Sequence, residues 1–283
     1  MKLTLGTGNF NSKYTLGINQ TLTDNLKKKI IKKAIESNIN FFDTASVYGN
    51  AEKIIGYSNL KDQNIITKIP KINFKGKKAI SSWIITKIKN SLSRLNKKKV
   101  YAILVHDLKD FLSNKKEFVK AFKILKENKL AEKIGFSLYN CKDLYNIVKF
   151  WKPDLIQIPY NIFDRRIEEK KFKNLIKKNK IELHVRSIFF KGLLVNKKLN
   201  IEKLLKWNRY FAKWFEWCNK NNIEPYAACY LFVKKNKLIN NVVVSFENVS
   251  QIKKIFDIRK RKLKKFPNFN IKNEIFLNPS NWS

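Results

Sequence analysis

Four polar side chains follow or close short apolar runs in the first 106 residues, and their chemistries are complementary. The segment FFDTASVYGNAE, residues 41–52, places Asp43 directly after two phenylalanines and Tyr48 five residues later. The apolar run NIITK ends with Lys68, and the run YAILVH ends with His106. A carboxylate, a phenol, an ammonium and an imidazole are groups that enzymes use to move protons.

These four groups suit proton donation to an oxygen atom. A free phenol has a pKa near 10, which makes it a weak proton donor at neutral pH. The Lys68 ammonium beside Tyr48 would stabilise the phenolate and lower that pKa, and Asp43 would keep the ammonium charged. An imidazole on the other side could polarise a carbonyl oxygen. We therefore expect half of a carbonyl reduction here, with the hydride supplied by a cofactor because no side chain supplies one.

Each of these residues also has an ordinary structural explanation. Lys68 alone would most often be a solvated lysine in so lysine-rich a chain, although a lysine that closes an apolar run is costly to bury unpaired. A lone histidine is commonly a core or rim residue, a lone tyrosine packs with its hydroxyl bonded, and Asp43 could cap a helix. Only the joint occurrence at neighbouring strand ends favours a catalytic site.

The elements that would position these residues alternate along the chain. Short apolar runs without strict alternation are typical of strands buried on both faces, as in parallel sheets. Longer amphipathic segments predict helices, the first with Thr23 as N-cap. Eight such repeats predict an α/β fold, a single (β/α)8 TIM barrel domain over residues 1–283, with its chemistry at the carboxyl ends of the strands. A doubly wound sheet is the alternative, but no GxGxxG follows the first run. The predicted strands are 2–8, 39–45, 64–69, 100–107, 133–139, 155–161, 181–189 and 240–246, and the predicted helices are 23–38, 77–96, 115–129, 166–180, 202–221, 225–236 and 249–258.

Composition restricts the class of protein. The net charge is +38, but the lysines are spread over every predicted helix and loop, so we expect attraction of anionic substrates rather than specific nucleic-acid binding. The sequence shows neither a secretory signal nor an apolar run long enough for a membrane span, which favours a cytoplasmic protein. Cys141, Cys218 and Cys229 are far apart and form no CxxC pair. They therefore predict buried thiols in a reducing compartment, with no disulfide and no metal site.

Several of these segments together resemble one protein family. GTGNF, FFDTASVYGNAE, ITK, LVHD, IGFSLYN and IQIPYN occur in the same order as in the aldo-keto reductases, over nearly the whole chain. The resemblance implies a TIM barrel and a metal-free, NAD(P)H-dependent reduction of aldehydes or ketones to alcohols. The Asp, Tyr, Lys and His tetrad of that family falls on Asp43, Tyr48, Lys68 and His106. By the same resemblance Tyr48 is the general acid.

The resemblance also implies a set of cofactor-binding residues. Ser137 and Gln157 fall where the family holds the nicotinamide carboxamide. Arg186 stands where an aromatic side chain usually stacks on the nicotinamide, and an arginine can also lie flat against a ring. The helix beginning near Val249 is expected to meet the pyrophosphate or adenosine side with its N-terminal amides. The other predicted cofactor-binding positions are Ser187, Gly192 and Ser245.

The choice between the two nicotinamide dinucleotides stays open in the sequence. The segment SFENVSQIKK after the last strand lacks the Lys-Ser pair and downstream Arg that hold a 2′-phosphate in strict NADPH users. The usual cofactor of the family and the positive net charge of this chain favour NADP(H) over NAD(H).

The expected substrate is a small carbonyl compound, sugar-like or anionic. YNIFDRR and HVRSIFFKGLL resemble a bacterial branch of the family associated with sugar and surface-polysaccharide metabolism. Arg165, Arg166 and Arg186 would suit an anionic group if they face the barrel mouth; otherwise Arg165 and Arg166 begin a solvated helix.

The alternative function is a cofactor-binding sensor or accessory subunit with little turnover. We expect a monomer or a weak homo-oligomer.

Overall fold

Eight parallel strands close into a barrel in the computed structural model, and their spatial order is their order in the sequence. The structure describes residues 1–11, 22–58, 60, 62–74, 80–198, 202–261, 263, 265–269 and 271–282. The closed parallel barrel confirms the predicted TIM barrel fold. The strands are β1 (Lys2–Gly6), β2 (Phe41–Asp43), β3 (Asn64–Ile69), β4 (Val100–Val105), β5 (Ala131–Ser137), β6 (Leu155–Pro159), β7 (Glu182–Arg186) and β8 (Asn241–Val244).

Helices connect the strands and cover the outside of the barrel. The Thr23 hydroxyl accepts a hydrogen bond from Leu26 N at 3.3 Å, which confirms the predicted N-cap of the first helix. The helices are α1 (Asp24–Glu36), α2 (Ala51–Tyr57), α3 (Ile80–Leu95), α4 (Leu108–Ser113), α5 (Lys115–Glu127), α6 (Asp143–Ile147), α7 (Lys170–Asn179), α8 (Asn208–Lys220), α9 (Pro225–Lys234), α10 (Val249–Ile258) and α11 (Glu274–Leu277). No helix among the described residues is long and apolar enough to cross a bilayer.

Two of the predicted helices are shorter or divided in the structure. The segment 166–180 forms a 3₁₀ turn, Arg166–Glu168, and then α7, because Glu169 between them has an extended backbone with ψ 134°. The segment 202–221 likewise begins as a 3₁₀ helix, Glu202–Trp207, before α8. The first three residues of the predicted helix 77–96 lie outside the described residues. The short helices α2, α4, α6 and α11 were not predicted, since a helix of one or two turns shows too little periodicity.

The barrel interior has an apolar layer of its own, separate from the core under the helices. It consists of Phe41, Ile66, Ala102, Leu104 and Leu155, all buried and all on strands. Phe41 on β2 meets the ring of His184 on β7 at a centroid distance of 6.3 Å. Since β2 and β7 are not neighbours in the sheet, this contact crosses the interior. The layer fills the barrel interior below the mouth.

Polar residues lie on the other side of this layer, at the amino-terminal end of the barrel. The Glu182 carboxylate accepts hydrogen bonds from Lys133 and from the Tyr101 hydroxyl, and His184 Nε2 lies 2.7 Å from Glu182 Oε1. His184 is completely buried. Its contacts with Glu182 and with the Phe41 ring are those of a structural residue of the barrel interior.

Gly135 leaves no room for a side chain in the interior packing. A Cβ at this position would lie 2.0 Å from Leu155 O and 2.9 Å from Leu104 Cδ2. Leu155 O belongs to the neighbouring strand and cannot move without breaking the sheet register, in which Gly135 pairs with Leu155. Any side chain here must push β6 away from β5.

We expect Gly135→Ala to lower the free energy of unfolding by about 1–3 kcal/mol, the usual cost of overpacking a core. Urea denaturation followed by circular dichroism measures the change. Gly8→Ala is the matched control, because its Cβ would have only the Tyr48 ring within contact, at 3.9 Å. Equal stability of Gly135→Ala and the wild type would contradict the packing described.

Candidate active site

An ion pair between Asp43 and Lys68 lies at the centre of the barrel mouth. Lys68 Nζ donates to Asp43 Oδ1 at 2.6 Å and to Thr44 O at 3.0 Å. The second carboxylate oxygen, Oδ2, accepts from Gln157 Nε2 at 2.7 Å. The two side chains are only 1% and 5% exposed. Burial alone would lower the pKa of Lys68, but Asp43 and Tyr48 together outweigh it and raise the pKa above its usual value, so the ammonium stays charged.

Tyr48 is positioned by the turn after β2. Its backbone N–H donates to Ala45 O at 3.0 Å, and its side chain is 8% exposed. The Lys68 ammonium lies 4.9 Å from the centre of the phenol ring and hydrogen-bonds the Tyr48 side chain. Burial raises the pKa of Tyr48, and the opposing charge of Lys68 does not cancel it. The expectation of a lowered phenol pKa is thus wrong in its net direction, because desolvation is the larger effect. The phenol is a neutral hydrogen-bond donor at neutral pH.

His106 follows β4 and faces the phenol. The two rings meet edge to face, with centroids 6.1 Å apart and planes at 86°. Burial, assisted by the positive charges of Lys68 and Arg186, lowers the pKa of His106 to about 4. The imidazole is therefore neutral at pH 7 and carries one N–H donor. The structure brings together the four residues of the predicted catalytic set.

A cavity of about 370 Å³ opens onto this cluster, within the size range of small-molecule sites. Its inner end is formed by Asp43, Tyr48 and Gln157, and its outer walls come from the loops after β7 and β8 and from the first turns of α9 and α10. The predicted cofactor-binding residues that line it are Gln157, Arg186, Ser187, Gly192 and Ser245.

Ser137 is the one predicted cofactor-binding residue that is not part of this lining. It is buried at the end of β5, directly opposite Gln157 in the sheet register. Gln157 uses its Nε2 on Asp43, so only its Oε1 can accept a hydrogen bond from a bound carboxamide.

Arg186 is the arginine that reaches the cavity. Its guanidinium lies over the Tyr139 ring at 4.3 Å, donates to Leu138 O at 3.1 Å and donates to the Ser187 hydroxyl at 3.3 Å. Arg165 and Arg166 are held elsewhere. Arg166 forms a bidentate pair with the buried Asp164 carboxylate, and Arg165 pairs with Glu168. Of the three arginines considered for an anionic group, only Arg186 faces the site.

The loop after β7 has a constrained backbone. Ser187, Phe190 and Lys191 have φ values of 58°, 51° and 54°, and Gly192 has φ 92°. Left-handed conformations of residues other than glycine cost roughly 1–3 kcal/mol each and cluster at functional sites. The loop is tied to its neighbour by Asn161, whose Nδ2 donates to Ser187 O at 3.1 Å. This wall of the cavity is therefore shaped by its surroundings rather than by the local sequence.

Several lining residues were missed by the sequence analysis. Asn9, Tyr226, Glu247 and Gln251 line the cavity, and none was assigned a role. Asn9 Nδ2 donates to Phe246 O at 2.8 Å, whereas its Oδ1 is buried without a partner among the described residues. Asn9 and Glu247 could have been found from the sequence, because polar residues just after predicted strands are candidates for the site. They follow β1 and β8 in the segments GTGNF and SFENVSQ.

The lining suits a nicotinamide dinucleotide. The Oδ1 of Asn9 and the Oε1 of Gln157 are acceptors suited to amide or hydroxyl donors. At Gly8 a Cβ would meet only the Tyr48 ring within 4 Å, so the absence of a side chain keeps the space above the phenol open. The described residues contain no group of three or more His, Cys, Asp or Glu residues arranged to hold a metal ion.

The sequence model of the Aldo/keto reductase family matches residues 2–268. This chain belongs to the aldo/keto reductase family. The resemblance carried by the strand-end motifs is therefore confirmed.

The relatives of the chain are distant. It is 28% identical over 200 residues to the "Uncharacterized oxidoreductase YqkF" of Bacillus subtilis, a match that covers 66% of this chain and 64% of that protein. It is also 28% identical over 177 residues to the "Aldo-keto reductase YhdN" of the same organism, covering 59% and 53%. The matches thus span less than two thirds of either relative's length.

Solved structures share the fold at lower identity. Aldo-keto reductase AKR11C1 from Bacillus halodurans, in its holo form, superposes with a TM-score of 0.72 at 20% identity, over 93% of this chain and 88% of that one. The glycerol dehydrogenase AKR11B4 from Gluconobacter oxydans gives a TM-score of 0.72 at 19% identity, over 93% and 87%.

We expect His106 to titrate near pH 4 in the folded protein, well below a free histidine. The chain has two histidines, so NMR of the imidazole Cε1–H groups resolves both, and loss of one signal in His106→Asn assigns them. Because the unfolded chain binds this proton near pH 6.5 and the folded chain near 4, stability falls as the pH is lowered through that interval. Titration of His106 near pH 6.5 would contradict the buried, cation-flanked environment.

Proposed function

We propose that this protein is an oxidoreductase that reduces a small aldehyde or ketone to an alcohol with a nicotinamide dinucleotide. One observation carries the proposal. A buried carboxylate–ammonium pair fixes a neutral phenol at the inner end of a cavity, with a neutral imidazole against the same phenol. Membership of the aldo/keto reductase family supports the same reaction class.

In this proposal Tyr48 is the general acid. Its hydroxyl donates a hydrogen bond to the substrate carbonyl oxygen and transfers its proton as negative charge develops there. The Lys68 ammonium, held by Asp43, stabilises the phenolate that remains. The neutral His106 donates a second hydrogen bond to the same oxygen and fixes its direction.

The residues that would hold the cofactor line the rest of the cavity. When bound, the nicotinamide supplies the hydride that no side chain can provide. The Oε1 of Gln157 would accept from its carboxamide, and the Arg186 guanidinium would lie against the ring, where the resemblance to the family implies an aromatic side chain. The net charge favours NADP(H) over NAD(H) by attraction at long range, whereas the groups that contact the adenosine determine the preference at short range.

The proposed substrate is a small carbonyl compound with an anionic or sugar-like group. Arg186 and Lys191 are the two cations among the described residues that line the cavity. Arg186 acts electrostatically on both Tyr48 and His106, so an anionic group on the substrate would lie close to the reacting carbonyl.

We further propose a cytoplasmic protein that acts as a monomer or weak homo-oligomer. The three cysteines are buried free thiols, as a reducing compartment allows.

Tyr48→Phe is expected to lower kcat for aldehyde reduction by about 10²–10⁴-fold, the usual contribution of a general acid, while the Kd of the reduced cofactor changes little. Stopped-flow absorbance at the nicotinamide band with a panel of small aldehydes measures the rate, and fluorescence titration measures the Kd. Tyr57→Phe is the control, because Tyr57 is 79% exposed on α2. Wild-type turnover in Tyr48→Phe would remove Tyr48 from the mechanism. Cofactor binding by the wild type without turnover of any carbonyl would favour the sensor function instead.

Lys68→Met should also lower kcat, because it removes the charge that stabilises the phenolate. The variant leaves Asp43 buried without its cation, so its stability must be measured in parallel. The double variant Asp43→Asn, Lys68→Met removes both charges and restores a neutral core. We expect both variants to be slow, and only the single variant to be strongly destabilised. A double variant with wild-type kcat would show that the ion pair is purely structural.

A further inference from the structure

Glu247 lines the cavity in the connection between β8 and α10, and its charge is opposite to that of the protein as a whole. We propose that Glu247 makes the site selective for NAD(H) over NADP(H), by accepting hydrogen bonds from the adenosine ribose and repelling a 2′-phosphate. The inference rests on the proposed function, because it needs a nicotinamide dinucleotide in this cavity.

The position of Glu247 in the cavity places it at the adenosine side. Asp43 on β2, Gln157 on β6 and Tyr48 in the turn after β2 form the inner end. Glu247 belongs to the outer wall, with Gln251 on α10 and Tyr226 on α9, two helices that pack outside the barrel. The reacting ring of the cofactor must lie beside the Tyr48 phenol. The remainder of the dinucleotide then extends outwards, towards the wall that carries Glu247.

The local structure holds this carboxylate in place. Glu247 N donates to Gln251 Oε1 at 2.8 Å, and Gln251 Nε2 lies 3.4 Å from Glu247 Oε2. The Asn248 side chain caps α10 by accepting from Gln251 N at 3.0 Å, which fixes the helix turn that carries Gln251. Burial raises the pKa of Tyr226, and the nearby negative charge of Glu247 raises it further. The negative charge of Glu247 therefore acts on Tyr226 at the cavity wall.

No lining cation among the described residues offsets Glu247 at this end. Arg186 acts on Tyr48 and so lies beside the inner end, and Lys191 lies near Arg186, which helps burial to lower the pKa of Lys191. Lys254, one turn further along α10, forms an ion pair with Glu224.

A carboxylate discriminates sharply between the two dinucleotides. An adenosine 2′-hydroxyl can donate to it, as acidic residues do for the ribose in other NAD-binding folds. A 2′-phosphate has no proton to donate at neutral pH and adds about two negative charges beside one already there. The net charge of the protein does not remove this repulsion, because at about 0.15 M salt exposed charges are screened beyond roughly 8 Å. Contact with Glu247 therefore outweighs the general attraction of the lysines.

Direct binding measurements test the inference without relying on activity. Titration of the full chain with NADH and with NADPH at about 0.15 M salt, followed by nicotinamide fluorescence, gives the two Kd values. We expect NADH to bind the wild type at least about tenfold more tightly than NADPH. Glu247→Gln should narrow this ratio, and Glu247→Arg should reverse it by strengthening NADPH binding and weakening NADH binding.

The control separates local from overall charge. Glu127→Arg on α5 makes the same change in net charge on an exposed surface outside the cavity lining, and should leave the NADH to NADPH ratio unchanged. Equal or tighter binding of NADPH by the wild type would overturn the inference and leave the proposed function intact. An equal shift of the ratio in Glu127→Arg and Glu247→Arg would also overturn it. Failure to bind either dinucleotide would instead refute the proposed function, and the inference with it.

Discussion

The buried Asp43–Lys68 ion pair is the interaction on which both the barrel mouth and the site depend. Two charges removed from water are costly unless their hydrogen-bonding capacity is met. Here the ammonium also donates to Thr44 O, and the second carboxylate oxygen accepts from Gln157 across the barrel. One pair thus connects β2, β3 and β6. The same ion pair therefore links three strands of the barrel and places a positive charge beside the Tyr48 phenol. Because Asp43 and Lys68 stabilise each other, a change in one of them affects both the barrel and the site.

Burial acts in opposite directions on the pKa values of Tyr48 and His106, and it leaves both groups neutral. It disfavours the phenolate of Tyr48 and the imidazolium of His106, so the pKa of the first is raised and that of the second lowered to about 4. Lys68 remains charged because Asp43 and, to a lesser extent, Tyr48 offset the effect of burial on its pKa. The site therefore has two neutral donors in front of one fixed cation. Such an arrangement is oriented before negative charge develops on a substrate oxygen, which is the general basis of electrostatic preorganisation.

The sequence predicted the barrel and the tetrad because both depend on local patterns. Strands buried on two faces appear as apolar runs, and a polar residue that closes such a run is visible at once, as with Lys68 in NIITK. The direction of the Tyr48 pKa shift was not predictable, since it depends on how completely other elements cover the ring. The shape of the β7 loop was also hidden, because three of its left-handed residues, Ser187, Phe190 and Lys191, are not glycines. Ser137 is buried beside Gln157 and is not part of the cavity lining, a distinction that a linear motif does not contain.

Register explains how a polar site can exist inside an apolar barrel. Phe41, Ile66, Leu104 and Leu155 precede Asp43, Lys68, His106 and Gln157 by two residues each, and side chains two apart on a strand point to the same face. The apolar residues form the interior layer, so the polar ones form the layer above it, at the mouth. A slip of one residue in β2 or β3 would turn Asp43 or Lys68 towards the helices and leave its partner buried without the opposite charge. The cost of that error specifies the register, and the chemistry of the site therefore helps to select the fold that positions it.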